Sequence, residues 1–216
     1  MKQNIFITGG TGYIGKRLIK KLLAEKSYCI HTLVRKGSEG KVPKGCSIIF
    51  GDALNAETYK HLVPDNSIFI HLVGVHHPSP SKKEEFRKID LVSVKEAVTA
   101  ATYSGVRHFI YLSVSQFPSF VMHNYQQARR RGESIVKSSG IPCTFLRPWY
   151  VLGPGHWWPV IFQPIFFFAK MIKSLRRKII HREYITIRQM IAALRVAVKN
   201  TPMYVMVMEI EDMKKL

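Results

Sequence analysis

The sequence is short of acid. Fourteen Asp and Glu stand against 33 Lys and Arg, a formal net charge of +19 at pH 7 over 216 residues. That surplus leaves four meanings open: nucleic acid, an anionic membrane surface, acidic substrates, or only a solubilising surface. The motifs that would favour the first are missing too. There is no zinc-finger spacing, helix-turn-helix signature or aromatic RNP pattern, so no specific nucleic-acid partner is expected. Cysteine is scarce: Cys29, Cys46 and Cys143 are odd in number, scattered and without metal-type spacing. They suit a reducing, cytoplasmic setting without a disulfide framework. His76-His77 has no companion ligands at metal-type spacing, so no metal site is expected. The opening apolar run stops at Gly9, which excludes a signal-peptide core.

Long hydrophobic runs are lacking as well. The stretch WWPVIFQPIFFFA, residues 157–169, is too short to span a bilayer and is interrupted by Pro159, Gln163 and Pro164. Lys170, Lys173, Arg176, Arg177 and Lys178 follow it. Two readings stay open for this stretch: a lid helix over a substrate site, or an element lying on an anionic membrane surface.

What is present is alternation. Residues 4–7 read as a buried strand, 13–26 as an amphipathic helix, 28–34 and 47–51 as strands, and 56–62 as a short helix. A strand at 67–73, a long helix at 82–104, a strand at 107–114, a helix at 124–139 and a strand at 143–146 follow. Residues 148–164 read as loop before a helix from about Ile165, then a helix at 187–199, a strand at 203–208 and a charged tail. Such alternation predicts one α/β domain, a parallel sheet with helices on both faces. The chain divides into a nucleotide-binding part, 1–155, and a small C-terminal cap, 156–216, completing the same domain. In such sheets ligands bind beyond the carboxyl ends of the strands.

At the first of those ends stands TGGTGYIG, Thr8 to Gly15. A helix N-terminus offers unpaired N–H groups and a positive dipole end, so the glycine loop is a ready phosphate cradle. Gly9 allows the tight turn, Gly12 the approach of a pyrophosphate, and Gly15 close helix–strand packing, with Thr11, Tyr13 and Ile14 between them. The second strand ends in Arg35-Lys36, where an acidic residue would hold ribose hydroxyls. A guanidinium there suits a 2′-phosphate, which favours NADP(H) while leaving NAD(H) open. Asp52, before Ala53, either accepts from an adenine amino group or caps a helix. Val73-Gly74 lets the backbone approach a ligand.

These motifs, with YLSVS at 111–115, Tyr125-x-x-x-Arg129 and RPWYVLGPG at 147–155, resemble the short-chain dehydrogenase/reductase superfamily. The likeness is closest to its extended and atypical branches: nucleoside-diphosphate-sugar epimerases, NmrA-like proteins and relatives of the complex I accessory subunit. The resemblance implies a Rossmann fold and an NAD(P)(H) cofactor. It implies hydride transfer to or from a carbonyl or alcohol, with Tyr125 as acid/base and Ser113 or Ser115 polarising the substrate. Arg129 stands where the family has lysine, the residue that lowers the tyrosine pKa and holds the ribose. That departure keeps a second reading open, a non-catalytic NADP(H) sensor or accessory protein. Pro148 and Trp149 fall where the superfamily meets the nicotinamide amide. Tyr150, His156, Trp157 and Trp158 either wall a substrate pocket or pack as loop. The partner is then a small molecule or none.

Overall fold

Seven strands hydrogen-bond side by side, all parallel, in the order β3-β2-β1-β4-β5-β6-β9. They are β1 (Gln3–Thr8), β2 (Tyr28–Val34), β3 (Ser47–Phe50), β4 (Ile68–His71), β5 (His108–Leu112), β6 (Cys143–Leu146) and β9 (Val205–Met208). The computed structural model describes residues 2–75, 78–155 and 183–216. The sheet winds one way from β1 to β3 and the other way from β4 to β9. A crevice therefore opens between the carboxyl ends of β1 and β4.

The pleat sorts the core into two chemistries. On one face lie aliphatic side chains, Ile5, Ile7, Ile30, Ile68, Ile70 and Ile110. Leu18, Ile19 and Leu22 of α1 (Tyr13–Ala24) cover them, with Met190, Leu194 and Val198 of α5 (Ile187–Lys199). On the other face the rings of Phe6, Phe69 and Phe109 run from strand to strand at centroid spacings of 5.0 and 5.1 Å. Val94, Ala97 and Ala101 of α3 (Val92–Tyr103) and Val136 of α4 (His123–Ser138) close over that face. Each fully buried ring contributes about 1.5–3 kcal/mol relative to exposure.

Several elements differ in extent from the sequence expectation, each for a visible reason. The first helix ends two residues early because Lys26 takes a left-handed backbone, φ 57°. The short helix at 56–62 is two 3₁₀ turns, Ala56–Thr58 and Lys60–Leu62. Tyr59 between them leaves helical dihedrals and stacks its ring on Phe6 at 5.9 Å. The long helix at 82–104 is composite. A 3₁₀ turn (Pro80–Lys82) leads into α2 (Lys83–Glu85), then a π segment (Phe86–Leu91), then α3. The widened turn brings both Phe86 and Asp90 to the buried side.

The C-terminal region holds two elements that sequence reading took as loop and tail. Tyr150–Leu152 (β7) pairs in parallel with Tyr184–Thr186 (β8) as a separate two-stranded sheet. The charged tail forms α6 (Ile210–Lys214), started by a reciprocal capping box between Glu209 and Asp212. β9 begins at Val205, leaving Met203 and Tyr204 exposed. Its pairing with β6 makes β9 the edge strand of the main sheet. Among the described residues no helix is long and apolar enough to cross a membrane. His76-His77, His156, Trp157, Trp158, the 157–169 stretch, the helix from about Ile165 and the cluster Arg176-Arg177-Lys178 lie outside the described residues.

Candidate cofactor and active site

β1 delivers the chain into a turn that only glycine can make. Gly9 has φ +80°, and a Cβ on it would fall 2.9 Å from the Leu72 carbonyl carbon at the end of β4. A Cβ on Gly15 would collide with the Gly9 carbonyl oxygen and fall 2.7 Å from the Gly10 Cα, so the helix rides directly on the loop. Gly12 is the N-cap of α1, extended at φ −78° and ψ 177°, and no side chain caps the helix there. Gly12 thus gives the N-terminus of α1 no side-chain cap, and that terminus borders the cleft, an arrangement that suits a phosphate. Gly10, to which the sequence reading gave no role, is as constrained: a Cβ would collide with Thr32 Oγ1.

These glycines form one wall of a cleft of about 650 Å³. Gly9, Gly12, Tyr13, Ile14, Gly15 and Gly74 line it, together with Ser113, Tyr125, Arg129, Pro148 and Trp149. Thr11 sits half-buried within the loop itself. Ser115 is 2% exposed and lies outside the cleft wall, its carbonyl accepting from Gln126 Nε2 at 2.6 Å. A broader groove of about 810 Å³ runs between α1 and α5, walled by Arg17, Lys21, Arg188 and Arg195. It holds neither the glycine loop nor Tyr125.

Arg35 is exposed just past the end of β2, and Val73 half-buried past β4; neither lines the cleft. Asp52 turns its carboxylate into its own loop, where Oδ1 accepts from Leu54 N–H at 3.0 Å. The capping role open to Asp52 falls to Asn55, whose side chain accepts from Glu57 N–H. Ala53 packs beneath the aromatic face of the sheet.

Tyr125 and Arg129 lie one turn apart on α4, and Arg129 is enclosed by protein. It is 4% exposed, and its Nη2 pairs with Asp90 Oδ1 at 2.8 Å. Nη1 donates to the carbonyls of Leu112 at 3.0 Å and Val73 at 3.3 Å, and to the Tyr111 hydroxyl at 3.4 Å. A Cβ on Gly74 would collide with Nη2, so the glycine makes room for the guanidinium. Asp90 Oδ2 in turn accepts from Val75 N–H at 3.1 Å. The pair thus ties α4 and the π segment to the loops after β4 and β5.

The Tyr125 ring packs on Phe86 at 5.0 Å and lies 5.4 Å from the Arg129 guanidinium carbon. Burial raises its pKa, and the Arg129 charge offsets only part of that rise. His71, whose ring lies 5.8 Å from that of Tyr111, bridges Thr8 Oγ1 at 2.8 Å and Ser93 Oγ at 3.2 Å. Burial, helped by the Arg129 charge, lowers its pKa to about 3, so it is a neutral structural histidine. Ser113 lines the cleft but donates its hydroxyl to Glu133 Oε1 at 2.6 Å. Glu133 accepts from Arg147 Nε and Nη2 at 2.9 and 2.6 Å, and Arg147 reaches on to Glu209.

Asp90 is the functional-looking residue that sequence reading passed over. Its signal was an acid in register with Phe86 and Val94, four residues to either side, on the buried stripe of a helix. A π segment at such a place often marks a functional site.

Residues 9–154 match the family described as NAD(P)H-binding. The chain belongs to that family. The curated relatives are distant. The ceramide reductase of Caulobacter vibrioides is 26% identical over 154 residues, covering 70% of this chain and 47% of that protein. Photosystem II assembly factor Ycf39 of Trieres chinensis is 25% identical over 146 residues, 67% of this chain and 44% of that protein. The chain thus spans about half the length of the curated relatives it matches. Among solved structures, a UDP-galactose 4-epimerase superposes with a TM-score of 0.72 at 20% identity, over 96% of this chain and 77% of that one. That likeness shows the fold alone, a Rossmann-like parallel sheet with helices around it.

Proposed function

We propose that the chain binds NADP(H) across the glycine loop and reduces a carbonyl substrate in the adjoining cleft, with Tyr125 as proton donor. The observation that carries this reading is the sharing of one cleft by the uncapped, glycine-built N-terminus of α1 and the Tyr125 side chain. The residues present fit a dinucleotide. Gly12 would admit the diphosphate and Gly74 a close approach of the backbone, with Arg35, beyond β2 and outside the cleft wall, the residue offered to a 2′-phosphate. A bound nicotinamide supplies or accepts the hydride.

The protein's own part is the proton. Tyr125 would donate to the oxygen of a carbonyl in reduction and accept from an alcohol in oxidation, and the Arg129 charge beside it works against the rise that burial imposes on its pKa. The apolar side chains around it, Val75, Pro78, Val114, Met122 and Trp149, favour a lipophilic substrate over a sugar nucleotide. The likeness to a ceramide reductase supports this reading. The free thiols suit a reducing, cytoplasmic setting.

A second reading rests on Arg129. Its terminal nitrogens are taken by Asp90, two carbonyls and Tyr111, so it does not present a free ammonium-like charge to a ribose. The chain would then hold the cofactor without turnover, as an accessory or assembly protein, and the assembly-factor relative favours that. NADPH oxidation across a panel of long-chain ketones and aldehydes, with Tyr125→Phe as control, separates the two. Turnover lost in Tyr125→Phe with NADPH binding intact supports the reductase. Tight NADPH binding with no turnover on any substrate supports the accessory role.

A further inference from the structure

The loop between β5 and α4, residues 113–122, presents an apolar tip while being firmly built. Gln126, 2% exposed, holds it from within. Its Nε2 donates to the carbonyls of Ser115 and Phe117 at 2.6 and 2.7 Å, and its Oε1 accepts from Ser119 N–H at 3.0 Å. Ser119 Oγ then accepts from Met122 N–H at 3.2 Å. At the turn so fixed, Phe120 is 101% exposed and Val121 68% exposed. The next residue, Met122, lines the cleft. The tip is therefore at the rim of the candidate active site.

Cationic residues lie on the helices that follow and support it. Arg130 donates to Gln116 Oε1 at 3.0 Å within the same loop, and Arg131 follows, exposed, on α4. Phe86 packs on Tyr125, which brings the start of the composite helix against the start of α4. That start carries Lys82, Lys83, Arg87 and Lys88; Lys82 pairs with Glu85 at 3.8 Å and Arg87 with Glu84 at 3.7 Å, so the segment keeps a positive excess, the sign of the whole chain.

We infer that this rim docks on an anionic bilayer, with Phe120 and Val121 inserted at the headgroup level and the flanking cations held at the surface. A preorganised aromatic and aliphatic pair backed by Lys and Arg is the composition of interfacial binding. Two exposed side chains are too little for a protein interface, which needs roughly 800 Å² from each partner. The surface stands on its own geometry and needs no turnover at Tyr125. If the reductase reading also holds, the cleft opens where a lipophilic carbonyl would arrive.

Cosedimentation of the full chain with phosphatidylcholine vesicles, with and without phosphatidylglycerol, tests it. Binding is expected only with phosphatidylglycerol, and it should weaken as salt rises through a Debye length of about 10 Å at 0.1 M. Phe120→Ala/Val121→Ala should weaken it about tenfold, with an unchanged melting curve because both residues are exposed, while Phe120→Leu retains most of it. Two results overturn the inference. One is no binding at low salt to the anionic vesicles. The other is equal binding by the double variant, which would locate membrane contact on another part of the chain.

Discussion

Arg129 Nη2 lies 2.8 Å from Asp90 Oδ1, and both side chains are buried, at 5% and 0% exposure. The two losses are not equivalent. Arg129→Met leaves a buried carboxylate unpaired and strips the Leu112 and Val73 carbonyls of their donor, at a cost of about 3–5 kcal/mol. Asp90→Asn keeps an acceptor for Val75 N–H and leaves Arg129 its carbonyl bonds, so it costs less, about 1–3 kcal/mol. Urea denaturation of both variants checks the order. A larger loss in Asp90→Asn would mean that the arginine does not hold the two loops.

The pH dependence follows from His71 and His108. Burial lowers their pKa values to about 3 and about 4, below the ordinary 6.5. Their folded values are depressed, so the unfolded chain binds more protons below pH 6.5. Stability is therefore full above that pH and falls as pH drops, by about 1.4 kcal/mol per pH unit for each histidine until its folded pKa is reached. Denaturation midpoints measured between pH 7 and pH 4 should show this slope. His71→Asn should shift the midpoint at pH 7 downward and flatten the slope; an unchanged slope would show that His71 is not the group titrating.

Much of this was legible in the chain itself. The glycine loop, the alternation to β6 and the Tyr125–Arg129 spacing are local patterns, and local patterns carry their own geometry. What escaped was long-range. That Arg129 meets Asp90, and that Ser113 donates to Glu133, depends on how α4 lies against β4 and β5, which no spacing reports. The β7–β8 pair joins residues more than thirty apart around Gly153, where a Cβ would strike the Tyr13 hydroxyl. The π segment was invisible for another reason. Its hydrogen-bond register shifts by one residue within a stretch whose composition reads as ordinary helix.

On the proposed reading, cofactor choice would turn on Arg35, exposed beyond β2. Arg35→Ala should weaken NADP(H) about tenfold by removing a charge-assisted contact to the 2′-phosphate, and leave NAD(H) nearly unchanged. Titration calorimetry with both cofactors reads the ratio. Equal losses for the two would place Arg35 outside the cofactor's reach.

Gly12 and Gly15 separate binding from folding. A Cβ on Gly15 meets the backbone of Gly9 and Gly10, which cannot move without opening the turn, so Gly15→Ala should cost about 1–3 kcal/mol of stability. Gly12 has ordinary negative φ, and a Cβ there meets only the Gly9 carbonyl oxygen at 3.2 Å, so Gly12→Ala should fold with little loss. Its methyl group would nevertheless stand at the mouth of the helix N-terminus, where the diphosphate must approach the amides. Dinucleotide affinity should therefore fall in both variants, and the melting temperature chiefly in Gly15→Ala. If Gly12→Ala binds NADPH as the parent does, the diphosphate does not sit on the N-terminus of α1.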